Sequence, residues 1–258
     1  MTTIAPALLE ELKDLADPVA LLRDLHRRFG NRLAVGTSGQ LSGSAIVALC
    51  VEAGFTPRVF TNDTGRLFPE THDLFRRLEE RYRLTVERFA PDPKILGEMV
   101  STYGEYLFFD SKERQELCCE VRKVLPNDRA LATLDVWVTG LRADQSRSRA
   151  KTPRLQILHL KEPTGQRPVL KVAPLVDWTE ERVRAYLREN NVPVHALLEK
   201  TLPGGYYYES LGCVLCTTPI GPNESRRAGR WRWFNTSDDK KECGLHLPPH
   251  DPTSPDVP

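Results

Sequence analysis

The chain has 258 residues, enough for one large domain, or one domain plus appendages, with a sizeable core. Its 36 Lys+Arg against 35 Asp+Glu leave a net charge of +1, which argues against a nucleic-acid coat or a polybasic membrane binder. The longest apolar run, Ala45 to Val51, is far too short to cross a bilayer, and an N-terminus with acids and no basic stretch argues against a secretory leader and for a cytoplasmic protein. Six cysteines are too few for a disulfide scaffold of this length and point to thiol or metal chemistry.

Leu8, Leu9, Leu12 and Leu15 recur at helical spacing, and Pro18 opens a second helical stretch ending near Gly30, giving an N-terminal helical segment over 1–30. Arg32 to Val35 reads as a short strand, Gly36 to Gly43 as a glycine-rich turn, and Ser44 to Ala53 as a helix. Arg58 to Thr61 is the next strand, Phe68 to Tyr82 an amphipathic helix, and Leu84 to Phe89 a strand. Leu131 to Thr139 leaves a helix and enters a strand, and Leu155 to Leu160 and Val169 to Val172 are further extended runs. Thr179 to Asn190 is a helix with Thr179 as N-cap and two glutamates in its first turn. The alternation predicts a mostly parallel sheet flanked by helices over 31–225, with ligands at the carboxyl ends of its strands. Gly36 to Gly43, Asn62 to Gly65 and Thr139-Gly140 fall at such ends. The remaining 226–258 ends in a tail, Leu247 to Pro258, with five prolines and almost no apolar content, expected to be mobile.

Gly36, Gly39 and Gly43 suit either a phosphate cradle at a helix N-terminus or a plain strand-to-helix turn; no Lys-Ser/Thr follows, so it is not a Walker motif. Cys118-Cys119 and Cys213-x-x-Cys216 are two pairs far apart in sequence, a pattern that builds a four-thiolate site for zinc or an iron–sulfur cluster. Cys50, in an apolar helix, reads as core. Cys243 lies among Lys240, Lys241 and His246, cations that favour a reactive thiolate. Arg226, Arg227, Arg230 and Arg232, interleaved with Trp231 and Trp233, suit a stacking patch for nucleic acid or planar forks for a small anion. The balanced charge favours the anion.

Five segments, in order, resemble motifs of one family: Asp63 to Thr71 (DTGRLFPET), Cys118 to Val124 (CCEVRKV), Thr139 to Ser146 (TGLRADQS), Arg227 to Trp231 (RAGRW) and Glu242 to His246 (ECGLH). The resemblance is to the assimilatory sulfonucleotide reductases, in their iron–sulfur, adenylylsulfate-reducing branch, and covers Leu33 to His246. It implies an α/β fold of the adenine-nucleotide alpha-hydrolase (PP-loop) type. It implies thiol-dependent reduction of adenylylsulfate to sulfite and AMP through an S-sulfocysteine, within sulfate assimilation, with 3′-phosphoadenylylsulfate as the alternative substrate. It also implies a [4Fe–4S] cluster on Cys118, Cys119, Cys213 and Cys216, and Cys243 as nucleophile, assisted by His246 and Lys123. Ser38, Gly39, Asp63, Thr64 and Gly140 are implied in the nucleotide pocket, and Arg149, Arg227 and Arg230 at phosphate and sulfate. Thioredoxin or glutaredoxin would donate the electrons, nucleic acid and membrane have no part, and a homo-oligomer stays open. The chain departs from the family pattern in its phosphate turn, which lacks that motif's acids, in the insertion Thr201 to Ser210, in Arg232 among the aromatics, and in the length from Arg230 to Cys243.

Overall fold

The N-terminal leucine periodicity folds as two helices, α1 (Pro6–Leu12) and α2 (Pro18–Phe29), the second capped by Asp17, whose carboxylate accepts from the Ala20 amide. In this computed structural model, which describes residues 4–162 and 165–234, the chain then alternates strands and helices. In order these are β1 (Leu33–Gly36), α3 (Leu41–Glu52), β2 (Arg58–Asn62), α4 (Pro69–Tyr82), β3 (Val86–Phe89) and α5 (Pro93–Tyr103). Next come α6 (Lys112–Cys119), a π-helical turn (Glu120–Val124), α7 (Leu125–Leu131), β4 (Val136–Thr139), β5 (Leu155–Glu162), β6 (Gly165–Val172) and α8 (Glu180–Glu189).

The six strands form one sheet in the order β3-β2-β1-β4-β6-β5. All neighbours are parallel except β5 and β6, an antiparallel hairpin in which β5 is the edge. The extended runs Leu155 to Leu160 and Val169 to Val172 are thus the two arms of one hairpin. The order reverses between β1 and β4, so their carboxyl ends flank the topological switch point where α/β sheets bind ligands.

Both sheet faces are covered, which is why β1 and β4 read as continuous apolar runs. One face packs on α2, α3, α4 and α8 through residues such as Leu22, Leu25, Ile46, Leu74 and Val183. α1 joins the same core through Leu8 and Leu12. The other face packs on α7 through Ala34, Phe60, Trp137, Ala130 and Leu131. Each large aliphatic side chain buried this way contributes about 1.5–3 kcal/mol. No described helix is long and apolar enough to cross a membrane. The proline-rich tail lies outside the described residues.

The start of α3 differs from the sequence expectation. α3 begins at Leu41, not Ser44, so Gly43 sits inside the helix. A Cβ there would lie 2.1 Å from Thr37 Oγ1, so only glycine lets the strand-to-helix turn fold back onto the helix.

Candidate active site

A cavity of about 210 Å³ opens at the switch point. Its floor is the turn after β1 and the N-terminus of α3, whose dipole favours an anion there. Of the residues singled out from sequence, Ser38, Thr64, Gly140, Lys123, Arg149, Arg227 and Arg230 line it, as does Cys213. Gly39 and Asp63 do not. Gly39 holds the turn, its amide donating to Thr37 Oγ1 at 3.2 Å, and Asp63 accepts from the Gly65 amide at 3.1 Å.

The cations around the cavity are held by specific partners. Arg142, buried, donates to Ser42 Oγ at 2.6 Å and to Asp144 Oδ1 at 2.9 Å, tying the loop after β4 to α3. Arg149 donates to Gln145 Oε1 at 2.5 Å, and Gln145 donates onward to the Gly140 carbonyl. Arg230 is buried, reaches the Leu211 carbonyl at 3.3 Å and lies 4.7 Å over the Trp231 ring. Arg226 pairs with both Glu180 and Glu209 at the cavity wall. Arg232 is turned away to Glu224 and Thr218, which accounts for its place among the aromatics. The insertion Thr201 to Ser210 bends back through bridges between Thr201 and Tyr207 and between Tyr207 and Ile220, and brings Glu209 and Ser210 to the cavity.

A second, small cavity is lined by all four paired cysteines, Cys118, Cys119, Cys213 and Cys216, each only 5–7% exposed. Cys118 and Cys119 end α6, just before the π turn. Pro126 explains that turn: it has no N–H for the Arg122 carbonyl and its ring crowds that carbonyl, so the helix widens. Cys213 and Cys216 flank a short turn. Gln115 Nε2 donates to Cys119 Sγ at 3.1 Å, and Cys213 Sγ lies 3.3 Å from Thr64 Oγ1. Arg66, Arg122 and Lys123 complete the wall beside Phe108 and Trp231. The hydrogen bond from Cys216 holds the Cys213 thiol well below its usual value, helped by Lys123, Thr64 and Arg230 against burial. Burial pushes the Cys118 thiol up, opposed by Arg122 and Arg66, and burial pushes the Arg122 guanidinium down. No disulfide joins the five cysteines among the described residues. The four sulfurs surround a cavity, with cations and an amide donor to offset thiolate charge, a donor set that fits a four-cysteine centre such as an iron–sulfur cluster.

Lys123, only 8% exposed, and Cys213 line both cavities, so the two sites share one wall. Sequence reading did not single out Asn127, Glu180 and Glu209, which also line the larger cavity. Glu180 reads as an ordinary first-turn acid, and nothing local marks the other two. Cys50 is fully buried in α3 and its thiol is pushed up by burial, as a core residue. Cys243 and His246 lie outside the described residues.

Residues 32–219 match the phosphoadenosine phosphosulfate reductase domain family. The chain is 38% identical over 242 residues to the adenosine 5′-phosphosulfate reductase of Agrobacterium fabrum, covering 94% of this chain and 86% of that protein. It is 43% identical over 189 residues to the adenosine 5′-phosphosulfate reductase of Allochromatium vinosum, covering 73% and 68%. Among solved structures, it resembles the phosphate complex of phosphoadenylyl-sulfate reductase from Candida auris, with a TM-score of 0.64, 26% identity, and coverage of 84% and 99%. FMN adenylyltransferase from Candida glabrata, 13% identical with a TM-score of 0.52 and coverage of 94% and 81%, shares the fold, the expected α/β architecture of a mostly parallel sheet flanked by helices.

Proposed function

The chain belongs to the phosphoadenosine phosphosulfate reductase domain family, and on that premise we propose that it reduces adenylylsulfate to sulfite and AMP with two electrons from a dithiol protein. The observation that carries this reading is the shared wall: Lys123 and Cys213 line a cation-rich cavity at the switch point and a four-thiol cavity at once. The thiolate of Cys243 attacks the sulfate sulfur, the sulfur–oxygen bond to the phosphate breaks, AMP departs and Cys243 carries an S-sulfo group. A thiolate of thioredoxin or glutaredoxin then attacks the Cys243 sulfur, sulfite leaves with the bonding pair, and the second donor thiol resolves the mixed disulfide.

Both partners in the first step are negative, so neutralising charge is the main demand on the protein. Lys123, Arg149, Arg227 and Arg230 supply it from the cavity wall. His246 activates Cys243 or positions the substrate. Cys118, Cys119, Cys213 and Cys216 would hold a [4Fe–4S] cluster, the four thiolates lining one cavity. When bound, the cluster supplies structural and electrostatic support to the wall carrying Lys123, while the electrons come from the dithiol. On this reading the reaction belongs to sulfate assimilation, and the expected location is the cytoplasm.

The test is steady-state sulfite release with thioredoxin, comparing adenylylsulfate with its 3′-phospho form. Higher kcat/KM with adenylylsulfate is expected. Preference for the 3′-phosphorylated nucleotide would move the substrate, and turnover of neither would remove the reductase reading.

A further inference from the structure

The turn after β1 departs from the family motif, and its Gln40 is tied to a distant part of the chain. Gln40 stands just before α3, where Ser, Thr, Asp or Asn would cap the helix, yet its side chain makes no cap. Its Nε2 donates instead to the Leu211 carbonyl at 2.9 Å, 171 positions away. Leu211 is buried and lies two residues before Cys213. The same carbonyl accepts from Arg230 Nη1 at 3.3 Å, so its two lone pairs are divided between the turn and a cavity cation.

Arg230 depends on that carbonyl more than its neighbours depend on any one group. Arg142 and Arg226 are each paired with carboxylates. Arg230 has no carboxylate partner among the described residues; its hydrogen bond is to Leu211, and its guanidinium rests over the Trp231 ring. Gly212 lets that guanidinium lie against the backbone, since a Cβ there would come within 2.5 Å of Nη2. Gly212 adjoins Cys213, so Arg230 stands at the end of the larger cavity that borders the thiols. We propose that Gln40 is a positioning residue: by orienting the Leu211 carbonyl it holds Arg230 at a fixed spacing from the turn after β1. The proposal rests on the adenylylsulfate reading, in which the turn takes the nucleotide and Arg230 serves the sulfate that AMP lacks. Placement of this kind acts on the chemical step more than on binding of the nucleotide.

Sulfite release and calorimetric AMP binding by the iron-loaded chain test this in two variants. Gln40→Met keeps the length of the side chain and loses the donor. Gln40→Asn is too short to reach Leu211 but offers α3 a better cap, which separates the tether from helix stability. Both are expected to lower kcat/KM for adenylylsulfate about tenfold, chiefly in kcat. AMP affinity should stay within about threefold of wild type, with iron content kept and Tm not lowered. Unchanged kcat in the variants would overturn the assignment and leave the reductase reading intact. AMP affinity, iron or Tm falling in step with kcat in both variants would reduce Gln40 to a structural role and overturn it as well. A wild type that turns over neither adenylylsulfate nor its 3′-phospho form would remove the reductase reading and this inference together.

Discussion

The aliphatic core under the parallel sheet and the thiol cavity are made of opposite materials. The first buries Leu21, Leu22, Leu25, Ile46, Leu74 and Phe75 almost completely, and apolar burial accounts for it without help. The second buries four thiols and sets Arg66, Arg122 and Lys123 around them. Burial and the neighbouring Arg66 push the Arg122 guanidinium down and Cys118 and Cys213 push it back up, whereas Arg66 is paired with Glu105, so negative charge on the sulfurs is what favours the Arg122 cation in that wall. The difference teaches that one region specifies the fold, whereas the other depends on its thiolates and on what they hold.

The contrast is broken most severely at the ligands. Cys118→Ala is expected to lose iron and to reduce sulfite formation to background, while circular dichroism still reports the α/β fold; full iron content would reassign the ligand set. Lys123→Ala should lower kcat/KM by about 10²–10³-fold with iron retained and Tm little changed, because it removes charge stabilisation at the shared wall. Unaltered kinetics would separate the two cavities functionally.

On the other side of the comparison, Ile46→Ala should cost about 2–5 kcal/mol in denaturant unfolding and leave the iron content alone. Loss of iron at unchanged stability would contradict the independence of the two regions.

The smallest effect is a pH dependence inside the aliphatic region. His195 is buried there, its Nε2 2.9 Å from Thr71 Oγ1 and its Nδ1 accepting from the Leu197 amide. Burial lowers it to about 4 from an ordinary 6.5. Below about pH 6.5 the unfolded chain takes up a proton that the folded chain refuses, so stability falls as pH drops toward 4. Thermal unfolding should show that fall to be shallower, by roughly a few degrees in Tm, in His195→Gln. Parallel curves would assign the acid loss to other groups.

What the sequence revealed divides along the same line. α2, α4 and α8 were legible because each carries an apolar stripe and a recognisable start, Asp17, Pro69 and Thr179. The paired cysteines were legible through spacing alone. The onset of α3 was not, because Gly43 resembles a turn residue until Thr37 packs against it. α5 was missed because it buries only Met99, although Asp92 caps it. Pro126 signals the π turn only once the surrounding residues are known to be helical. The walls of the larger cavity were the least legible part. Asn62 meets Asn127 across 65 positions, and Glu180 meets Arg226 across 46, so tertiary structure alone brings them together.

The most direct test of the central claim is the intact mass of anaerobically purified, iron-loaded protein after incubation with adenylylsulfate and no reductant. The account predicts an added SO3 group, removed by dithiol, mapping to Cys243 and absent in Cys243→Ser. A protein that holds its iron, binds AMP and forms no adduct would contradict it.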